Sequence, residues 1–263
     1  MGLRSAESNG ATETGLEMRA KSVIAVLRVA HYVKHSLPGS ILRIRKVRPM
    51  TRLLVPDRLP AAPLRTVRPV MLRDVYANPE KELVRLRRQG LVTRIAPGTY
   101  TVKPDTVAPE AGWRPPFEHA AMAYATAQYG DRVPVLYGIG AARFHHAIPR
   151  AIAVTVIAVP EQHRPVTLTD GGKVIFTTTD VDALEARLER VPIGAFLVTT
   201  PEQTLIDLVA RPAVGGMPEE AHAAARALAA TVDRDRVDEL LTVRPRTVQE
   251  GAAKLLHDVA GHR

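Results

Sequence analysis

Lys81, Arg85 and Arg88 recur at steps of four and three residues, which on an α-helical wheel places three cations within about 60° of one another. Leu83 and Leu86 fall on the opposite side, also about 60° apart, so one face can be buried while the other carries the charge. Arg87 lies nearer the apolar edge. A helix that buries leucines and directs cations outward is what a major-groove reader needs. Cations neutralise phosphates, and arginine can bond guanine O6 and N7 at once. Arg94 and Lys103 follow closely enough to hold flanking backbone or enter the minor groove. The candidate DNA contacts are therefore Lys81, Arg85, Arg87, Arg88, Arg94 and Lys103. No aromatic side chains interleave these cations as a stacking platform, which favours double-stranded DNA over single strands or RNA.

The elements that must position these side chains are legible around them. Asn78-Pro79 supplies an N-cap and a proline at the first helical position, and Glu80 and Glu82 sit in the first turn, where the helix dipole favours acids. The helix is expected over 78–89, ending at Gly90. Residues 91–95 and 99–102 alternate like strands around Ala96-Pro97-Gly98, a hairpin. A short amphipathic helical segment, 71–76, precedes them with Leu72 and Val75 facing inward. Helix, helix and two-stranded hairpin is the order of a winged helix-turn-helix.

Charge along the chain points the same way. The 263 residues carry 36 Lys+Arg against 27 Asp+Glu, for a formal net charge of +9. Residues 1–105 hold 20 basic and 8 acidic side chains, and residues 106–263 hold 16 and 19. A basic half joined to a mildly acidic one predicts two modules, one of which meets a polyanion. The Pro-rich stretch 103–116 reads as the linker between them. Residues 1–18 are polar and read as a disordered tail, and 20–35 carry a helical pattern. Residues 36–70 are broken by prolines, and Met50 opens a segment that reads like a natural start. The expected organisation is an extension at 1–49, partly disordered, a winged-helix DNA-binding domain at 50–105, and an α/β domain at 106–263. The fold class is thus α+β in two domains: an N-terminal winged helix-turn-helix, then a mixed α/β domain with a helical C-terminal end.

In the second half, helices are expected at 118–129, 140–147, 181–189, 201–210, 218–231, 234–241 and 247–260. Strands are expected at 152–159, 166–169, 174–178 and 195–199, with Thr200 as the N-cap of the helix that follows. This half offers little catalytic chemistry. His145 and His146 are adjacent and point to different sides of a helix, so they do not chelate as an i,i+4 pair would. Glu202 reads as a first-turn acid and Asp207 as a solvated or capping residue. Gly138-Ile139-Gly140 lacks the spacing of a dinucleotide loop, and no nucleophile elbow appears. A nuclease-like enzyme would need clustered carboxylates with a lysine, and Glu161, Asp170 and Lys173 are only loosely spaced. The absence of cysteine excludes a disulfide framework, a thiol nucleophile and thiolate zinc sites. No apolar stretch approaches the ~20 residues that span a bilayer, and the N-terminus lacks a secretory pattern. A non-enzymatic, cytoplasmic protein with no membrane partner, metal or cofactor is expected.

Three stretches together resemble the AbiEi-type antitoxins, transcriptional regulators of type IV toxin–antitoxin systems. LVRLRRQGLVTRIAPGTYTV at 83–102 is similar to that family's recognition helix, strand and wing. TPEQTLIDLVARPAVGG at 200–216 is similar to its "TPE-x-TL-x-D" helix, and YGIGAARFHHAIP at 137–149 to its Ala-rich helix before a strand. The order of the three carries more than any one of them, and it covers about residues 65–215. Two departures stand out: the segment before Met71 is proline-broken where the family has a helix, and His146 replaces a usual glycine. The resemblance implies a repressor of its own operon that binds an inverted repeat in double-stranded operator DNA. It also implies a C-terminal domain that counters a nucleotidyltransferase-like toxin, without metal or cofactor. An inverted repeat needs two readers, supplied by a homodimer or by two monomers on adjacent half-sites. The alternative from the residues alone is a winged-helix transcriptional regulator whose C-terminal domain senses a ligand, with no toxin partner.

Overall fold

Asn78 caps the first helix as its sequence requires: the side-chain oxygen accepts a hydrogen bond from the Lys81 amide at 3.1 Å, and Pro79 occupies the first helical position. The computed structural model describes residues 55–107 and 112–261. The tail, helix and extension expected at 1–49 lie outside the described residues. Helix α1 (Pro79–Arg88) ends at Gly90, whose φ of 71° suits glycine. Strands β2 (Val92–Ala96) and β3 (Thr99–Val102) form the hairpin, and β1 (Thr66–Val67) pairs with β3 to complete an antiparallel sheet of order β1-β3-β2. Leu83 and Leu86 pack with Leu59, Val67, Leu72, Val92, Tyr100 and Val102 into a small core. Before α1 the prolines leave two short 3₁₀ turns, Pro63–Arg65 and Pro69–Leu72, where a helix over 71–76 was expected. Leu72 is buried as expected.

The rest of the chain is a mixed α/β unit. Its helices are α2 (Phe117–Tyr129), α3 (Ile139–Phe144), α4 (Pro201–Ala210), α5 (Pro218–Ala229), α6 (Arg234–Leu241) and α7 (Arg246–Ala260). Its strands are β4 (Val135–Tyr137), β5 (Val154–Val159), β6 (Val166–Thr167), β7 (Lys173–Thr178), β8 (Ala186–Val191) and β9 (Gly194–Thr199), in the order β6-β7-β5-β4-β9-β8. The strand pairs β4–β9 and β5–β7 are parallel, the others antiparallel. Alternation along each strand divides the core in two. Val135, Tyr137, Val156, Ala158 and Leu197 face α3–α7, whereas Leu136, Ile157, Val159, Phe196 and Val198 face α2. Gly140 lets α3 lie against the sheet, because a Cβ there would stand 2.3 Å from Thr155 Oγ1 and 3.0 Å from the Val156 carbonyl.

The small N-terminal core is tied into this unit. Leu64, Ile95 and Ala96 pack in the α2-side core, and the Thr169 amide donates to the Ile95 carbonyl at 2.8 Å. Arg68 reaches Gln128 on α2 at 2.8 Å.

Two further elements differ from the sequence expectation. Residues 181–189 are not a helix: 186–191 form β8, paired along its length with β9. Val181, Leu184 and Leu188 fit helical spacing, but the tight connection at Pro192-Ile193 closes an antiparallel hairpin whose backbone bonds decide the segment, leaving Leu188 at the edge and 43% exposed. The central strand β4 was not anticipated. With three residues it is too short for alternation to register, yet it joins the two halves of the sheet.

Candidate nucleic-acid interface

The cations expected on α1 separate into groups once folded. Lys81, Arg85, Arg87 and Arg88 are all exposed. Lys81, Arg85 and Arg88 border a shallow groove of about 630 Å³ together with Asn78, Glu82 and the 40%-exposed Val84. Arg85 forms an i,i+3 ion pair with Glu82 at 2.7 Å, so part of its charge is offset. Lys81, Arg87 and Arg88 form no ion pair among the described residues. Arg87 instead shares a smaller pocket with Arg94 of β2. Arg94 is half-buried and its Nε donates to the Ala96 carbonyl at 3.3 Å, across the irregularity in the β2–β3 register.

Lys103 stands apart from these. Its ammonium donates to the Val107 carbonyl at 2.6 Å, and its own carbonyl accepts from Arg65 at 3.1 Å. The hairpin exit thus uses Lys103 to fix the chain leaving β3.

Asp207 departs from the expectation of a solvated or capping residue: on the inner face of α4, it is buried. Burial pushes its carboxyl up to about 7, against the opposing influence of Gln203, Tyr137, Arg244 and Arg211. Gln203 Nε2 donates to Asp207 Oδ1 at 2.7 Å, and Arg244 donates to Gln203 Oε1 at 3.0 Å. Burial also holds the Tyr137 hydroxyl above its ordinary range, with Asp207 adding to the effect. Thr200 caps α4 by accepting from the Gln203 amide at 3.2 Å, which sets the register that turns Gln203 and Asp207 inward. Glu202 accepts from the Asp233 amide at 3.2 Å, tying α4 to the start of α6. The sequence signal for burial was the position of Asp207 two residues after Leu205 and one before Leu208, inside an apolar helix. Its partner Arg244 lies too far along the chain to be paired by inspection.

A part-buried ion pair joins Glu118 of α2 to Arg143 of α3 at 2.7 Å, and burial raises the Glu118 carboxyl. His145 shares a 2.7 Å hydrogen bond with the Thr199 carbonyl, while His146 is exposed and carries φ of 62°. Asp170 pairs with Arg114, and Glu161 and Lys173 are exposed. No group of three or more His, Asp or Glu suited to a metal ion occurs among the described residues. Nor is any helix among them long and apolar enough to cross a membrane.

A mixed α/β domain behind an exposed basic helix and hairpin is what these residues define. Residues 135–258 match the family described as the AbiEi antitoxin C-terminal domain, in agreement with the resemblance carried by the motifs at 137–149 and 200–216. The match supports an antitoxin role, and with it a toxin partner in general. No curated protein matches the chain. Among solved structures, the crystal structure of RV2827C protein from Mycobacterium tuberculosis is similar, with a TM-score of 0.51 and 20% identity, covering 74% of this chain and 72% of that one. At that identity the likeness concerns the fold.

Proposed function

We propose that the protein is the antitoxin of a type IV toxin–antitoxin pair, which binds operator DNA, represses its own operon and counteracts a nucleotidyltransferase-like toxin. The observation that carries the DNA-binding part is the α1 face. Lys81, Arg87 and Arg88 stand exposed without ion pairs among the described residues, on a helix anchored by Leu83 and Leu86 and followed at once by the β2–β3 hairpin. In the winged-helix reading α1 enters the major groove, the hairpin is the wing, and the turns over 63–72 stand in for the preceding helix. The family match over 135–258 supports the antitoxin part. Two copies, as a homodimer or as paired monomers, would read an inverted repeat.

The test is a gel shift with the DNA upstream of the gene, titrated against salt, beside scrambled DNA of equal length. A shift specific to the upstream duplex and weakening steeply with salt is expected. Equal, weak binding to both would remove operator recognition. Co-expression with an adjacent nucleotidyltransferase-like reading frame tests the second part, restored growth being the expected result.

One observation favours a second reading, a winged-helix regulator with a ligand-sensing C-terminal domain. A cavity of about 350 Å³, lined by Phe117, Arg143, Ile152 and Leu168, reaches Ile95 of the hairpin. Without a nucleotidyltransferase-like neighbour, that reading takes precedence.

A further inference from the structure

Arg87 and Arg94 do not share the groove of Lys81 and Arg88; they meet a third arginine that lies outside the winged module. A pocket of about 220 Å³ is bordered by Arg87 of α1, Arg94 of β2 and Arg114 of the segment entering α2, with Thr93, Trp113 and Thr169 among its walls. The pocket is held from both sides. Thr93 Oγ1 donates to the Trp113 carbonyl at 2.9 Å, and the Thr169 amide donates to the Ile95 carbonyl at 2.8 Å. Arg87 has no side-chain partner among the described residues, and Arg94 uses only its Nε. Arg114 pairs with Asp170 through one terminal nitrogen and remains 63% exposed on its side chain. Among the described residues, three guanidiniums against one carboxylate leave an excess of positive charge. A Cβ placed on Gly112 would meet none of the described residues within 4 Å. The space is small and polar, which suits a phosphate group rather than a stacked base.

We propose that Arg114, with Arg87 and Arg94, holds a backbone phosphate of duplex DNA, so that the segment leading into the C-terminal unit forms part of the DNA footprint. The proposal rests on the DNA-binding reading above. It places one phosphate beside the wing while Lys81, Arg85 and Arg88 face the groove. A phosphate contact fixes register and carries no sequence information.

Fluorescence anisotropy of the full chain on the upstream duplex and on a scrambled duplex, over a range of salt, tests it. Arg114→Ala should weaken both duplexes alike and lower the log–log salt slope by about 1. Arg226→Ala, which removes the same charge from the exposed face of α5, should leave the slope unchanged. Melting temperatures of both variants should match the parent. Equal behaviour of the two variants, or a loss confined to the upstream sequence, would overturn the phosphate site while leaving DNA binding intact. Inorganic phosphate added at constant ionic strength should not compete; if it displaces the duplex from the parent but not from Arg114→Ala, the site takes free phosphate instead. Failure of the parent to bind either duplex would overturn the DNA-binding reading itself.

Discussion

On α1, Lys81, Arg87 and Arg88 stand in solvent with no ion pair among the described residues, whereas beneath α4 Arg244 reaches inward to Gln203, which in turn bonds the buried Asp207. The two regions use the same residue types for different ends. On α1 the hydrophobic anchor, Leu83 and Leu86, is separate from the charge, so the cations can be altered without disturbing the core. Around α4 the polar groups are inside the core, between Tyr137 of the central strand and the α6–α7 connection that carries Arg244. Charge there is part of the packing. Exposed charge in one place predicts an effect on binding with stability preserved; buried charge in the other predicts the reverse.

The largest expected effect comes from the buried side. Asp207→Ala removes the acceptor of Gln203 and the neighbour of Tyr137 and leaves space in a packed layer. We expect a loss of about 3 kcal/mol in urea unfolding, since a deleted partner leaves buried polar groups unsatisfied. The α1 face should still bind DNA at temperatures where the variant is folded. A loss below about 0.5 kcal/mol, the range of ordinary surface substitutions, would show the cluster to be solvated after all.

On the exposed side, Arg85→Ala and Arg88→Ala should each cost about 1–3 kcal/mol in operator affinity if they contact bases, with unchanged melting. Arg88 is expected to matter more, because Arg85 already spends part of its charge on Glu82. Unchanged affinity in both variants, with normal melting, would take α1 out of the interface.

How much of this contrast was readable beforehand follows from range. The α1 cap, its leucine edge and the hairpin at Ala96-Pro97-Gly98 are set by neighbours within a few residues, and the folded chain reproduces them. The same holds for Thr200-Pro201 at the start of α4. The misread segment 181–189 had apolar spacing compatible with a helix, and only pairing with β9 decides it. The polar cluster was missed because Gln203 meets Arg244 across 41 positions, and local pattern says nothing about such a meeting. Lys103 is a candidate DNA contact from its place at the hairpin exit, and its hydrogen bond to the Val107 carbonyl is a further feature that only the folded chain reveals.

The pH dependence sharpens the buried half. Asp207 rises to about 7 in the folded chain and sits near 3.9 unfolded, so between those values the folded state holds the extra proton. Stability from this group is therefore present at low pH and is lost as pH rises through about 7. The expected change is about 2 kcal/mol between pH 5 and pH 7. His119 works in the opposite direction, because burial lowers its value and protonation favours the unfolded chain as pH falls. Comparison with Asp207→Asn isolates the carboxyl: the parent's melting temperature should gain on the variant's as pH falls from 7 to 5. Parallel curves for parent and variant would place the Asp207 pKa outside that window.

The smallest expected effect concerns the middle motif, at His146. The resemblance sets a glycine where this chain has histidine, and the backbone there is left-handed, with φ of 62°. A β-carbon in that conformation costs roughly 1–2 kcal/mol, though histidine tolerates it better than most residues. Glycine removes that strain but adds freedom to the unfolded chain, worth about 0.5–1 kcal/mol. His146→Gly should therefore stabilise by about 0.5 kcal/mol. The exposed imidazole forms no hydrogen bond among the described residues, so no contact is lost. Antitoxin activity measured beside stability would then separate two roles for the position. A stabilised and active variant makes His146 a tolerated departure at a turn, while a stabilised variant that no longer protects against the toxin would place the imidazole on the neutralising surface.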